Sequence, residues 1–256
     1  MTALEVQAAV FAGPWELQAV LGRGRRSTVY RALDAQGRTA AVKVCAGADL
    51  AREHRLLATF RHPHLLRPLG CGRGPQGPWL ASEWAQGGAL PAPPAGGFAD
   101  AQVRRWLAEL GGALAHLHRR GWVHRDLKPA NLLRRADGSL VLADLGEAVP
   151  AGTPGPAPGT VVGSPRYAAP EQSQGAPAAP AADVYSLGVL LHEWLTGWPA
   201  YGGETPAELQ AQHLIAPVPR LCAERAHWQP LLDALMAKDP AHRLPDGQAV
   251  LTRNAT

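Results

Sequence analysis

Apolar and polar residues alternate over residues 15–21, 28–33 and 39–45, each run bounded by a turn, and this period of two predicts three short strands. Residues 49–60 change period. Leu50, Leu56, Leu57 and Phe60 stand among charged positions, which predicts a helix ended by His62-Pro63. Two more strand-like runs, 65–69 and 79–84, are joined by a Gly/Pro turn, so the first 85 residues read as antiparallel strands with one helix. Residues 86–97, small and Pro-rich, read as the connection to a second lobe. Beyond it the spacing becomes helical: Val103, Leu107, Leu110, Leu114 and Leu117 mark one buried stripe along residues 99–120. Residues 183–196 form an almost wholly apolar helix for the centre of the larger lobe, and 206–213 and 228–236 predict two others. Residues 1–14 read as a loosely held lead-in and the Pro/Gly-rich residues 150–159 as a mobile loop.

Composition narrows the class. Of 256 residues, 46% are hydrophobic, enough for a sizeable core in one large domain or two small lobes, and this excludes intrinsic disorder. Cys45, Cys71 and Cys222 are odd in number and far apart, which disfavours a disulfide framework or a zinc site and fits a reducing cytosol. No Lys or Arg precedes Arg23, as a signal peptide would need, and the longest apolar stretch, 184–198, is interrupted by His192 and Glu193. The expectation is a cytoplasmic chain without a membrane segment. A net charge of +4 is too small to argue for a nucleic-acid partner. Only three of the 25 basic residues are lysines, Lys43, Lys128 and Lys238, so each retained ammonium invites a chemical reason.

Gly22, Arg23, Gly24 and Ser27 form a Gly-rich turn that leads into a strand beginning near Val29. A dinucleotide fingerprint needs a helix there, so that reading fails; a plain hairpin and a hairpin whose N–H groups cover phosphates both remain. Ala41-Val42-Lys43-Val44 places a lysine inside an apolar strand. It is either an edge residue in water or a partly buried ammonium that needs a carboxylate partner, for which Glu53 is the candidate because Asp49 is explained by helix capping. In His124-Arg125-Asp126-Leu127-Lys128-Pro129-Ala130-Asn131, four polar groups crowd into seven residues between apolar neighbours. Here the chain resembles the protein kinase superfamily, whose catalytic loop reads H-R-D-x-K-x-x-N. Ala143-Asp144-Leu145-Gly146 is similar to its metal-binding Asp-Phe-Gly motif, and Ala168-Ala169-Pro170-Glu171 to the Ala-Pro-Glu end of its activation segment.

The resemblance covers about residues 15–250, with every motif in order. It implies a bilobal α+β kinase fold: a small antiparallel β lobe with one helix at about 15–85 and a larger, mainly helical lobe at about 86–254. It implies an ATP-dependent Ser/Thr protein kinase of the bacterial eukaryotic-type (Hanks-type) branch, using Mg²⁺ or Mn²⁺. Gly22, Arg23, Gly24 and Ser27 would cover the phosphates, with Val29 and Ala41 against adenine and Lys43, paired to Glu53, on the α/β-phosphates. Ser82 matches the gatekeeper, and backbone groups of Glu83 and Ala85 would hydrogen-bond adenine. Asp126 would accept the substrate proton, Lys128 would neutralise the γ-phosphoryl, and Asn131 and Asp144 would hold the metal ions. His124 and Leu145 with Leu57 resemble an apolar stack joining the lobes, Asp183 the brace of the catalytic loop, and Glu171 with Arg243 a buried pair. Arg125 before the catalytic Asp implies control by activation-loop phosphorylation, with Thr153 and Thr160 as candidates, Thr160 preferred, and Ser164 assigned to the catalytic loop.

Ser27 replaces the third glycine of the turn, and residues 87–97 lack the acidic residue that takes ribose hydroxyls or a basic substrate residue. Input signals are expected from partners, which include Ser/Thr-bearing protein substrates and a cognate phosphatase. Two rivals, a pseudokinase scaffold and a small-molecule phosphotransferase, are opposed by the full set Lys43, Glu53, Asp126, Asn131 and Asp144 and by the intact activation segment. Arg23, Arg25 and Arg26 need only solvent or nearby phosphates, not nucleic acid. His62/His64 and His116/His118 are i, i+2 pairs that share no helical face, so ordinary polar roles are expected of them.

Overall fold

A computed structural model describes residues 10–24, 27–45, 50–157, 160 and 163–255; Arg25, Arg26 and Asp49 lie outside the described residues. The chain opens with strands β1 (Val10–Ala12), β2 (Trp15–Arg23), β3 (Ser27–Leu33) and β4 (Thr39–Cys45), helix α1 (Leu50–Thr59), and strands β5 (Pro68–Gly74) and β6 (Gly77–Glu83). They make one antiparallel sheet in the order β1-β2-β3-β4-β6-β5. Alternation along β4 sends Ala40, Val42 and Val44 into a small core with Ala12, Trp15, Ala32, Trp79 and Ala81. Ala41, Lys43 and Cys45 therefore face the other side, where α1 packs with Leu50, Leu56 and Leu57 buried.

The second part begins with β7 (Gly88–Ala89) and the long helix α2 (Asp100–His118), followed by β8 (Trp122–Val123) and a 3₁₀ turn at Pro129–Asn131. Strands β9 (Leu132–Arg134), β10 (Leu140–Leu142) and β11 (Val149–Pro150) come next, then helices α3 (Pro170–Ser173), α4 (Pro180–Thr196), α5 (Pro206–Ile215), α6 (Gln229–Met236) and α7 (Gly247–Asn254). Helix α4 is the expected central element: from Ala181 to Leu195 every residue but Glu193 is buried. Leu57, His124 and Leu145, expected to link the lobes, are all buried, and Leu57 and Leu145 belong to one core. The α+β architecture, sheet first and helices after, is the one expected.

Four local expectations change. Val10–Ala12 is not a loose lead-in, because the Gly13-Pro14 turn folds it back so that Ala12 pairs with Trp15 and is buried. The strand expected at 65–69 begins at Pro68 instead. Leu65 and Leu66 sink into the main core, where the Leu66 N–H donates to the Leu142 carbonyl at 2.9 Å, so this apolar pair anchors the sheet to the helical part. The 86–97 connection carries β7, which pairs with β9. Within the expected mobile loop, β11 pairs with β8, and the Gly152 N–H and Thr153 carbonyl bond to Ala178, so its described part is tied down.

Lys238 gains a structural reason: its ammonium donates to the hydroxyls of Tyr185 and Tyr201 at 3.2 and 2.9 Å and to the His213 carbonyl at 2.7 Å. His213 beside it is 2% exposed, and burial, aided by Lys238, pushes its imidazole down to about 4 from an ordinary 6.5. The unfolded chain therefore binds more protons than the folded one between pH 6.5 and 4, so stability is full above that window and falls as the pH drops through it. The expected loss from this residue is about 2–3 kcal/mol. Urea melts at pH 7 and pH 5 check it: His213→Gln should lose less on acidification than the parent, and an equal loss contradicts the assignment.

Candidate active site

The register of the sheet builds one wall. Gly22 pairs with Val29, Val29 with Lys43 and Lys43 with Leu80, while Ala41 pairs with Ser82. Directly paired residues share a face, so Gly22, Val29, Ala41, Lys43 and Ser82 look the same way. Arg23 ends β2 opposite Thr28, and the Gly24 N–H closes the hairpin on the Ser27 carbonyl at 2.8 Å. Among the described residues a Cβ on Gly22 would meet nothing within 4 Å, so no packing there requires the glycine, and the open edge suits a ligand lying close to backbone. Ser82 is buried and its hydroxyl donates to the Ala41 carbonyl at 3.4 Å. The Glu83 N–H is committed to the Arg67 carbonyl and its carboxylate to Arg135, so the backbone group it has left for a ligand is its carbonyl. The buried Ala85 follows at the start of the connection.

Lys43 is not an edge residue in water. Its Nζ lies 2.9 Å from Glu53 Oε2 and 3.3 Å from Asp144 Oδ1. Burial draws the ammonium down, and the Glu53 and Asp144 carboxylates more than restore it, leaving it above the usual lysine value. Burial raises the Glu53 carboxyl, with Asp144 adding to it and Lys43 opposing. Burial would raise Asp144 as well, but Lys43 and the Gly146 N–H hold it below the ordinary range. The helix supplies the buried Glu53 and the strand the lysine, which makes the pair a joint between α1 and the sheet.

The opposite wall is the loop from His124 to Asn131. Asp183, wholly buried at the start of α4, accepts the backbone N–H groups of His124 and Arg125 at 2.7 and 2.8 Å. His118 holds this carboxylate from the other side at 3.0 Å; its Nδ1 accepts from the Gly247 N–H, so Nε2 is the donor. Although burial raises the Asp183 carboxyl, these donors carry it below the ordinary value. They also pin Arg125 at φ +67°, a left-handed conformation that a non-glycine residue adopts only when its surroundings impose it. Asp126, thus displayed, accepts from Lys128 Nζ at 2.6 Å and Asn131 Nδ2 at 3.1 Å on one oxygen and from Ser164 Oγ at 3.1 Å on the other. Gly163 permits that last contact: at φ +78°, its Cβ would lie 2.7 Å from the Arg125 carbonyl.

The expected site residues therefore gather on two facing walls, bridged where Lys43 meets Asp144. With its Nδ2 spent on Asp126, Asn131 offers its amide oxygen, and Asp144 is a carboxylate at φ +63° beside it in the chain's hydrogen bonding, the Ala143 N–H donating to the Asn131 carbonyl at 2.8 Å. Two hard oxygen donors fit Mg²⁺, which takes few protein ligands and keeps waters and phosphates. No group of three or more His, Cys, Asp or Glu able to hold a metal occurs among the described residues. Glu171 and Arg243 pair as expected, at 2.6 Å. Arg125 Nε donates to the Glu147 carbonyl at 2.9 Å, and Thr153 is half-buried with its hydroxyl on Pro150, whereas Thr160 is exposed.

Three contributors escaped sequence reasoning. Arg52 on α1 donates to the carbonyls of Gly146 and Ala148, tying that helix to the segment after Asp144. Its only signal is adjacency to Glu53. Gln172 reaches the Arg125 carbonyl at 3.3 Å, and His118 braces Asp183; neither has a local signature. The histidine spacing also conceals a cluster, since His62 lies in a turn and packs against both His64 and His116 with ring centroids 5.8 and 5.1 Å apart.

The protein kinase domain family matches residues 15–252. The chain is similar to the serine/threonine-protein kinase PknL of Mycobacterium tuberculosis, 36% identical over 269 residues covering 96% of this chain and 66% of that protein. It is 33% identical over 254 residues to the serine/threonine-protein kinase PknB of Mycolicibacterium smegmatis, covering 90% of this chain and 40% of that one. It is 32% identical over 247 residues to Aurora kinase A-A of Xenopus laevis, covering 90% and 59%. The chain spans about two thirds or less of the length of these curated relatives. Among the described residues no helix is long and apolar enough to cross a membrane.

Proposed function

The chain belongs to the protein kinase family, and from that premise we propose that it transfers the γ-phosphoryl of ATP to Ser and Thr hydroxyls of protein substrates. The observation that carries the reading is the display of Asp126 between Lys128 and Asn131 across from the Lys43–Glu53–Asp144 ion cluster. Lys43, held charged by two carboxylates, grips the α/β-phosphates, with the backbone of Gly22, Arg23, Gly24 and Ser27 above them. Val29 and Ala41 flank the adenine, and the Glu83 carbonyl and Ala85 backbone take its hydrogen bonds. Asp126 orients the acceptor hydroxyl and receives its proton, while Lys128 offsets charge on the moving phosphoryl group. Asn131 and Asp144 would hold Mg²⁺ or Mn²⁺ through their side-chain oxygens, and the ion would supply positive charge against that of the phosphates. The test is ADP release with and without Mg²⁺ in the presence of a generic acceptor protein. Metal-dependent release matched by acceptor phosphorylation supports the reading; nucleotide binding without release would favour a scaffold.

The reading extends to regulation: the enzyme phosphorylates itself on Thr160, whose exposure suits modification better than the bonded Thr153. Arg125 and Arg52 are near enough for Arg52 to add to the burial that lowers the Arg125 guanidinium, so a phosphate there would find two cations. Mass spectrometry of active protein should find phosphate at Thr160, and an unmodified residue contradicts this. A phosphatase that removes it is the expected partner.

Ser82 predicts pharmacology. A small buried residue beside adenine leaves space behind it, and Ser82→Phe would overfill that space. Bulky ATP-competitive inhibitors should lose about 10–100-fold in affinity, read as a shift in inhibition constant; equal sensitivity would contradict the placement of the adenine.

A further inference from the structure

A chain of hydrogen bonds runs from the base of the helical part to the rim of the active site. Lys238 Nζ donates to the Tyr185 hydroxyl, which donates to His213 Nδ1 at 3.0 Å, and His213 Nε2 donates to the Arg166 carbonyl at 3.0 Å. The next carbonyl, of Tyr167, accepts from Ser186 at 2.7 Å, and the Tyr167 hydroxyl donates to Glu193 at 2.8 Å. Helices α4 and α5 thus fix the backbone under Arg166 from below. Two residues earlier, Ser164 bonds Asp126, so the Arg166 Cα lies within about 7 Å of the Ser164 Cα. An arginine side chain is long enough to span that separation from a backbone held in this way.

Among the described residues the guanidinium itself has no hydrogen-bond or ion-pair partner. Arg166 is exposed and forms no ion pair among the described residues, Glu193 being bonded to Tyr167. It is also the only charged residue between 150 and 170, and residues 86–99, along the other side of the site, contain no Asp or Glu. A cation flanked by two segments that carry no carboxylate, with Glu147 beside Arg125 and Glu193 held by Tyr167, repels a basic peptide and attracts an acidic one.

We propose that Arg166 selects protein substrates bearing an acidic residue beside the phospho-acceptor, with His213 as the residue that positions it. The proposal rests on the reading of Asp126 as the acceptor-orienting base. The test uses three peptides with one Thr acceptor and a neighbouring Glu, Gln or Lys, scored by kcat/KM and, independently of chemistry, by fluorescence anisotropy. The parent should prefer Glu over Gln by about three- to tenfold, with Lys last. Arg166→Ala should level the series and Arg166→Glu reverse it. His213→Ala should shrink the preference, and His213→Gln, which keeps an N–H donor, should restore part of it. Equal treatment of the three peptides by the parent, or a Glu preference that survives Arg166→Glu, overturns the proposal. An acid preference in binding without phosphate transfer would uphold Arg166 while removing the kinase reading on which its catalytic meaning rests.

Discussion

Asp126→Asn is expected to lower the rate of phosphate transfer by about 10²–10⁴-fold while leaving the fold and nucleotide binding in place. Asparagine keeps the volume and one acceptor oxygen, so Ser164 and Lys128 retain a partner, but it cannot receive the acceptor's proton. The site was built to present this one group: Asp183 holds the N–H groups of its two neighbours, and Lys128, Asn131 and Ser164 converge on its two oxygens. Lys43→Met should lower transfer by about 10²–10³-fold through a different route, since it leaves the buried Glu53 and the half-buried Asp144 without their shared cation. The two variants therefore separate proton acceptance from phosphate positioning. Initial rates at saturating ATP, alongside thermal melts of both proteins, check the pair; a parent-like rate for Asp126→Asn would remove that residue from the chemistry.

Arg243→Ala carries the largest expected cost in stability. The Arg243 side chain is fully buried, and its guanidinium donates to both Glu171 oxygens, at 2.6 and 3.1 Å, and to the carbonyls of Ala181, Ala237 and Lys238. Removing it strands a buried carboxylate and three carbonyls at once, and breaking such a pair costs about 3–5 kcal/mol. Against a total of about 5–15 kcal/mol for a typical domain, that is enough to disrupt the packing of α3 on the base of α4. Chemical denaturation should show a large fall in midpoint, and Glu171→Gln, which keeps one acceptor oxygen for the guanidinium and leaves the arginine's three carbonyl partners in place, should fall less. A midpoint within about 1 kcal/mol of the parent would contradict this account.

The two walls of the active site were legible in the sequence to different degrees and for physical reasons. Lys43 stood out because an ammonium in an apolar strand needs a partner, and Glu53 because Asp49, the other acid nearby, is explained by helix capping. The catalytic loop was legible because dense polar residues between apolar neighbours have no packing explanation. What stayed hidden depends on contacts between distant segments. His118 looks like an ordinary helical histidine until the fold brings Asp183 and Gly247 against it. Leu65 and Leu66 carry a strand-like run, yet their burial against Leu142 is decided by the larger lobe, not by local alternation. Val10–Ala12 was obscured because three residues are too few for a period, although Gly13-Pro14 announces the turn that pairs them. The role of Lys238 was likewise invisible, since Tyr185, Tyr201 and His213 reach it from three separate elements.

The measurement that bears most directly on the central claim is transfer of labelled γ-phosphate from Mg·ATP to a generic acceptor protein by the parent chain, with the labelled residues identified. The account predicts label on Ser and Thr, dependent on Mg²⁺ and lost in Asp126→Asn. Nucleotide bound with no label transferred, or label transferred equally by Asp126→Asn, would contradict it.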